Sequence, residues 1–128
     1  GPNGVCANDT GDVHTERNWR TVRIKGGYRV PVFVDCQWVD GLPLAANEPP
    51  EFDGQCHWDW YTNAMRSFCI NRHHGFVNGV FMDTSVRPIG LKELWEVYWH
   101  KQWAQEQAIR GTPVWPEWMV SFKDYAAL

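Results

Sequence analysis

Residues 71–90, NRHHGFVNGVFMDTSVRPIG, contain the pattern that decides the fold. Within them, residues 77–83 and 85–89 have the alternation and composition of half-buried β-strands. A two-residue connection, Asp83-Thr84, joins them, so we expect a tight hairpin. Both central residues of such a turn often need positive φ, which Asp tolerates and β-branched Thr does not. The sequence therefore predicts either another turn type or strain at Thr84.

Two stretches nearer the N-terminus also have strand composition. Residues 19–24, WRTVRI, alternate apolar and polar side chains. Residues 28–39, YRVPVFVDCQWV, are rich in β-branched and aromatic side chains. Pro31 cannot donate a ladder hydrogen bond, so that end is expected at a sheet edge or before pairing begins.

The intervening segments carry weaker signals. Residues 1–18 suggest an irregular start, and residues 40–55, with three prolines and two Asp-Gly pairs, predict a long surface loop. Residues 58–66 suggest a helical turn or two, and residues 66–72 have strand composition. His-His-Gly at residues 73–75 is a plausible chain reversal.

A helical period begins after the hairpin. Apolar residues recur at helical spacing: Leu91, Leu94, Trp95, Tyr98, Trp99 and Trp103. The opposite face carries polar residues: Lys92, Glu93, Glu96, His100, Lys101 and Gln102. The spacing predicts a helix over residues 91–108, ended by Gly-Thr-Pro at residues 111–113.

The C-terminal segment, residues 113–125, contains PEWMVSF at residues 116–122. Its proline suits the first position of a short helix. With strands and a long loop over residues 19–89, we predict one domain spanning residues 1–128. Its fold class is α+β, a small antiparallel sheet packed against a C-terminal amphipathic helix, with long loops.

Composition narrows the functional classes. A chain of 128 residues with a net charge of -3 suits one domain, and it has no basic block that would favour nucleic acid or an anionic membrane. It contains no run near the roughly 18 apolar residues of a membrane span, and no signal-peptide pattern.

Four cysteines, Cys6, Cys36, Cys56 and Cys69, lack the CxxC spacing of zinc or haem sites. An even count in a small, tryptophan-rich chain favours an exported protein with one or two disulfides. Free buried thiols are the alternative, and the sequence does not choose among the three full pairings.

The string from Asn71 to Trp103 resembles the C-terminal domain of pseudopilin-like proteins, which have a prepilin-type cleavage and methylation leader. Their processing-associated domain is marked by His, nine residues, then Asp-Gly. His73 and Asp83 match that spacing, with Gly75 inside the same motif, whereas Thr84 stands where the family usually has Gly. Residues 30–55 and the string PEWMVSFKDY are similar to a planctomycete and verrucomicrobial subgroup, so the resemblance covers about residues 19–125.

This resemblance implies a non-enzymatic, exported component of a type II secretion or type IV pilus-like machine, periplasmic or at the bacterial cell surface. Its partners would be other pilin-like subunits, in a homo-oligomer or filament. Family precursors begin with a basic leader and a long apolar helix, and neither pattern occurs in these 128 residues. We therefore expect the globular head, separated from that helix by maturation or by cloning, with membrane contact only through the helix.

Metal binding has weak support in the sequence, and no cofactor is expected. His73 and His74 are adjacent, and neighbours on a strand point to opposite faces, so both do not easily bind one ion. We predict instead that His73 pairs with the Asp83 carboxylate or nearby backbone. Calcium is the alternative, because pseudopilins of type II secretion often hold it; its candidate ligands are Asp35, Asp40 and Asp53.

Two further functional classes remain. A small hydrolase would use His73 and Asp83, although the chain lacks a Gly-x-Ser-x-Gly elbow. A carbohydrate-binding module would use exposed rings beside the long loop: Trp38, Trp58 and Trp60. The other expectation for tryptophans is core packing, predicted for Trp95, Trp99 and Trp103, with Trp115 and Trp118 covering the same core.

Overall fold

The protein is described by a computed structural model that covers residues 19, 21, 23–37, 41–55 and 63–125. Within these ranges the strands are β1 (Pro31–Val34), β2 (Phe76–Phe81) and β3 (Val86–Gly90), which form an antiparallel sheet in the order β1-β2-β3. The α-helices are α1 (Met65–Phe68) and α2 (Trp103–Arg110), and short 3-10 helices span Gly27–Arg29, Lys92–Trp95 and Glu117–Met119. The architecture is a small mixed α+β domain, as predicted at that level.

The predicted hairpin is present as β2 and β3, with Val80 opposite Val86. Its connection is longer than the predicted two residues. Thr84 donates its N–H to the Phe81 carbonyl at 2.9 Å, and Phe81 donates to the Ser85 carbonyl at 2.9 Å. Thr84 has φ of 70°. This is the pattern of a three-residue loop whose last residue is left-handed, and it places the positive φ on the β-branched residue.

Replacing Thr84 with Gly should stabilise the fold by about 0.5–1 kcal/mol. The left-handed conformation costs a residue with a Cβ roughly 1–2 kcal/mol, and the greater freedom of unfolded Gly offsets part of the gain. Urea unfolding of Thr84→Gly measures the change. Thr84→Ala is the matched control, because it keeps the Cβ and should show no comparable gain. A less stable glycine variant would mean that Thr84 makes contacts outweighing its backbone strain.

β1 is shorter than the predicted strand. It pairs with β2 through Phe33↔Val80 and Val34↔Gly79, and the register shifts between Pro31 and Phe33. Pro31 begins an edge strand, as predicted. The predicted strand at 19–24 is wrong at its described residues, none of which is in a strand. Of the described residues there, Thr21 and Arg23 are exposed, and Trp19 and Ile24 are half-buried.

The two edge strands, β1 and β3, limit pairing with a further strand in different ways. The Ser85 carbonyl accepts the Phe81 N–H and therefore points toward β2. Successive residues of a strand direct their N–H and C=O groups to opposite sides, so those of Val86, Pro88 and Gly90 point away from β2, toward the open edge. Pro88 has no N–H, and the Gly90 N–H is donated to Glu93 Oε1 at 3.2 Å. The other edge, β1, has four residues, begins with proline and contains the irregularity in register.

The core lies against the inner face of the sheet. That face contributes Val77, Phe81 and Ile89, which are at most 1% exposed. They belong to one cluster with buried residues from the rest of the chain, including Met65, Leu94, Trp95, Trp99, Trp103 and Met119. Trp115 and Trp118 are partly buried and pack against this cluster. The core roles predicted for these five tryptophans are confirmed.

The predicted helix over 91–108 is wrong over its first three turns, residues 91–102. A 3-10 helix covers Lys92–Trp95, and the α-helix begins only at Trp103. The supposed polar face is itself buried at Lys92, Glu93, Glu96 and His100, and the Tyr98 N–H, which a helix would use for its own bond, is donated to the Arg29 carbonyl at 2.7 Å. The predicted ending is close, because α2 stops at Arg110 and Gly111 has φ of 75°. Of the described residues of α2, Trp103 is the buried one, so the sheet packs mainly against the segment before this helix.

The structure of the remaining segments agrees only in part with the elements predicted from the sequence. Residues 41–55 contain no strand or helix, as expected for the long loop. The strand predicted from the composition of residues 66–72 is wrong, because α1 covers Met65–Phe68 and residues 69–72 are not in a strand. Of the helical turn predicted for residues 58–66, residues 58–62 lie outside the described part. The predicted helix at 116–122 is reduced to Glu117–Met119, directly after Pro116.

Of the possible disulfide pairings, the one between Cys36 and Cys69 is absent from the structure. Cys69 is a free thiol, so no bond joins it to Cys36. Its Sγ lies 3.9 Å from Met119 Sδ in the core, and burial raises the pKa of the Cys69 thiol. Cys6 and Cys56 are outside the described residues.

No helix in the described ranges combines the length and the apolar character that crossing a bilayer requires.

Candidate interaction surface

The outer face of the sheet carries three apolar side chains side by side. Phe33 of β1 lies opposite Val80 of β2, which lies opposite Val86 of β3. Phe33 and Val86 are each 71% exposed, and Val80 is half-buried. We call these three residues the apolar row.

The register of the strands explains the row. In β2, Val77, Gly79 and Phe81 are buried, so alternation turns Asn78 and Val80 to the outer face. The solvated face of an antiparallel sheet is normally polar. Single exposed apolar residues are common, and three adjoining ones across the three described strands make this face a candidate interaction surface.

A shallow depression of about 270 Å³ accompanies the row. Asp35 and Asn78 also line it, beside the three apolar side chains. It is open to solvent on a flat sheet, which suits side chains of a protein partner better than an enclosed small ligand.

A polar corner borders this depression. The Asn78 N–H is donated to Asp35 Oδ2 at 2.9 Å, and His73 Nε2 lies 3.4 Å from the same oxygen. Arg72 donates to the Cys36 carbonyl at 3.3 Å, and Arg72, His73 and His74 are all exposed. We call Arg72, His73 and His74 the basic corner.

The turn that presents the basic corner is fixed by side chains from two segments. Asp53 Oδ1 accepts the Asn71 N–H at 2.9 Å, and Asn71 Oδ1 accepts the Gly75 N–H at 2.6 Å. Positive φ angles of 53° at His74 and 93° at Gly75 complete the chain reversal predicted for these residues.

The predicted pairing of His73 with Asp83 is wrong. The two residues flank opposite ends of β2, whose six residues at about 3.3 Å each keep those ends roughly 16 Å apart. Asp83 Oδ1 instead accepts the Ser85 N–H at 2.9 Å and the Ser85 hydroxyl at 2.5 Å. These bonds hold the pKa of Asp83 below its ordinary value. Asp83 therefore stabilises the hairpin turn, and the dyad that a hydrolase would need is not assembled.

The calcium candidates do not converge in the described residues. Asp35 accepts from Asn78 and contacts His73, while Asp53 accepts from Asn71. Across the described ranges, no three His, Cys, Asp or Glu side chains are grouped as metal ligands. Asp40 lies outside those ranges, as do Trp38, Trp58 and Trp60.

Sequence reasoning missed the apolar row, although a signal for it was present. Strand composition alone assigns Phe33 and Val86 to a buried face. The hairpin pairing would have placed Val80 against Val86, and the inward residues Val77 and Phe81 would then have turned that pair outward.

Comparison with protein-family models, with curated proteins and with solved structures finds no match to this chain.

Proposed function

We propose that the chain is a non-enzymatic assembly component, the globular head of a pseudopilin-like protein of a type II secretion or type IV pilus-like system. Its head would contact copies of itself in a filament. The motif string around His73 and Asp83 supports the family, and the apolar row is the observation that carries the assembly role.

Energetics support a contact at the row. Burying a phenylalanine side chain that is exposed in the free protein contributes about 1.5–3 kcal/mol. Aromatic residues are enriched in the cores of protein interfaces, whereas charged residues are depleted there. A weak contact suffices in a filament, because linkage to the same fibre raises the effective concentration of neighbouring heads.

The test is a Phe33→Lys variant expressed from the intact gene in its native host, followed by native purification and cryo-EM. We expect ordered filaments from the wild type and their loss in Phe33→Lys, because a lysine at the centre of the contact must be desolvated. Phe52→Lys is the matched control, since it makes the same exchange at a phenylalanine that is 56% exposed and lies outside the row. Natively purified protein that is monomeric, or Phe33→Lys filaments like those of the wild type, would contradict the proposal.

The alternative function is an extracellular carbohydrate-binding module, favoured by the spacing of Trp38, Trp58 and Trp60 around the long loop. Tryptophan fluorescence titrated with a panel of polysaccharides distinguishes it. A saturable shift that survives Phe33→Lys and is lost in Trp58→Ala would favour the module over the assembly role.

A further inference from the structure

The C-terminal segment, residues 113–125, packs on the end of the sheet where β2 begins and β3 ends. We call this segment the C-terminal strap. A Cβ placed on Gly75, which directly precedes β2, would lie 3.2 Å from Phe122 Cδ1. A Cβ on Gly90, the last residue of β3, would collide with the Tyr125 ring. The two glycines therefore form recesses that hold two aromatic rings of the strap.

A buried lysine contacts the same strap. The Lys92 side chain is 3% exposed, and its ammonium donates to Asp124 Oδ1 at 2.6 Å and to the Val120 carbonyl at 3.2 Å. The Trp115 ring lies 5.6 Å from the same nitrogen. All three groups belong to the strap, so the strap supplies the negative charge and the polar contacts that a buried ammonium requires.

Side chains, and not paired backbones, hold the strap to the rest of the protein. The Met119 side chain is fully buried in the core, and the Trp118 indole N–H is donated to the Pro50 carbonyl at 2.8 Å. Backbone bonds of the strap, such as the one from the Phe122 N–H to the Met119 carbonyl at 3.0 Å, stay inside it. Within the described ranges, none joins its backbone to that of another segment. A segment attached in this way can separate as one unit while the sheet stays paired.

The strap is connected to the rest of the chain through a glycine hinge. α2 ends at Arg110, and Gly111 follows with φ of 75° and ψ of -171°, a conformation that residues with a Cβ avoid. A Cβ there would meet no atom within 4 Å, so packing does not fix the hinge. The residues that the strap contacts all precede the hinge: Pro50, Gly75, Gly90 and Lys92. A second copy offers the same residues to the same strap.

We propose that two copies of the chain exchange their straps, so that Asp124 of one copy binds Lys92 of the other and its rings occupy the other copy's glycine recesses. The occupant is a second copy because the strap's own sequence is the one that fits this site. Exchange keeps the contacts of the strap and changes the hinge. A short tether holds the strap at a millimolar effective concentration, so exchange requires copies crowded to a similar level. The contact uses no residue of the apolar row and goes beyond the assembly role proposed above.

The first test uses Lys92→Glu and Asp124→Lys, alone and mixed in equal amounts, by sedimentation equilibrium and native mass spectrometry. Each variant alone has like charges at the strap site, both within one chain and between two identical chains, so it should stay monomeric. In the mixture, Asp124 of the first variant meets Lys92 of the second, and the introduced lysine meets the introduced glutamate. We expect a one-to-one dimer that forms at least tenfold more tightly than the wild-type dimer, because a wild-type chain must first release its own strap.

The control for this test carries both changes in one chain. It restores the opposite charges within the chain and should be a folded monomer. A mixture that stays monomeric, although circular dichroism shows both single variants folded, overturns the exchange.

Gly111→Ala tests the exchange without altering the strap site. A Cβ makes the folded-back hinge about tenfold less favourable in each chain, and exchange releases two hinges. The variant should therefore dimerise at roughly a hundredfold lower concentration than the wild type, whereas Thr112→Ala, the matched control, should behave like the wild type. A Gly111→Ala protein that stays monomeric up to millimolar concentration overturns the exchange and leaves the assembly role standing. Adding Phe33→Lys should not affect the dimer; a dimer lost in that variant is held by the apolar row, which overturns the exchange and supports the assembly role.

Discussion

Replacing Trp103 with alanine is expected to lower the free energy of unfolding by about 3–5 kcal/mol. Trp103 is fully buried, and its indole N–H is donated to the Trp95 carbonyl at 2.9 Å. Its ring also packs edge-on against His100, with centroids 5.4 Å apart. Truncation leaves a cavity in the core and a buried carbonyl without its donor. For a small domain, a loss of this size is a large part of the total stability.

Two controls separate the causes of that loss. Trp103→Phe keeps an aromatic ring but removes the N–H donor, so it should cost less than alanine, about 1–3 kcal/mol. Ile109→Ala lies on the same helix at an exposed position and should stay within about 0.5 kcal/mol of the wild type. Urea unfolding monitored by circular dichroism measures all three. A Trp103→Ala variant as stable as Ile109→Ala would show that α2 is not anchored by this residue.

Replacing Glu93 with alanine should cost about 2–3 kcal/mol. Glu93 Oε2 lies 2.9 Å from Arg87 Nη1, and Glu93 Oε1 accepts the Gly90 N–H. Gly90 is buried, so its N–H would lose its partner, at about 1–3 kcal/mol. The loss of the ion pair adds less than in a fully buried pair, because the Arg87 side chain is 34% exposed.

Glu93→Gln is the matched control for this pair. Glutamine retains a side-chain oxygen for the Gly90 N–H and loses only the charge facing Arg87. Its expected cost is about 1 kcal/mol, measured by the same unfolding experiment. Equal losses in the alanine and glutamine variants would show that the charge, and not the backbone hydrogen bond, is what stabilises this end of β3.

The sheet could be predicted from local sequence because its signals are local. The alternation of residues 77–81 and 86–89 and the short connection between them identify β2 and β3 without knowledge of the rest of the chain. The helix beginning at Leu91 failed for the opposite reason. Two of its residues bind partners far along the chain: Lys92 Nζ lies 2.6 Å from Asp124 Oδ1, and the Tyr98 N–H is donated to the Arg29 carbonyl at 2.7 Å. Periodicity shows which side chains are polar, and it does not show where a distant partner lies.

The candidate site was predictable only in part, for a related reason. The spacing in sequence suggested that His73 and Asp83 are in contact. The residues between them form the extended strand β2, which holds the two side chains at opposite ends of the strand. His73 instead faces Asp35, which β1 brings beside β2. The apolar row likewise depends on the pairing of three strands, and Phe33 gives no local sign that it faces solvent.

The edges of the sheet bear on how crowded copies would behave. A free strand edge invites a neighbouring chain to add its own strand, which is the first step toward amyloid-like fibres. Here two of the three outward residues of β3 offer no free N–H, because Pro88 has none and the Gly90 N–H is donated to Glu93 Oε1, and β1 is short, starts with proline and is irregular in register. Copies crowded together would therefore meet through side chains more readily than through strand pairing. Side-chain contacts can be reversed, so crowded copies could separate again without their sheets fusing.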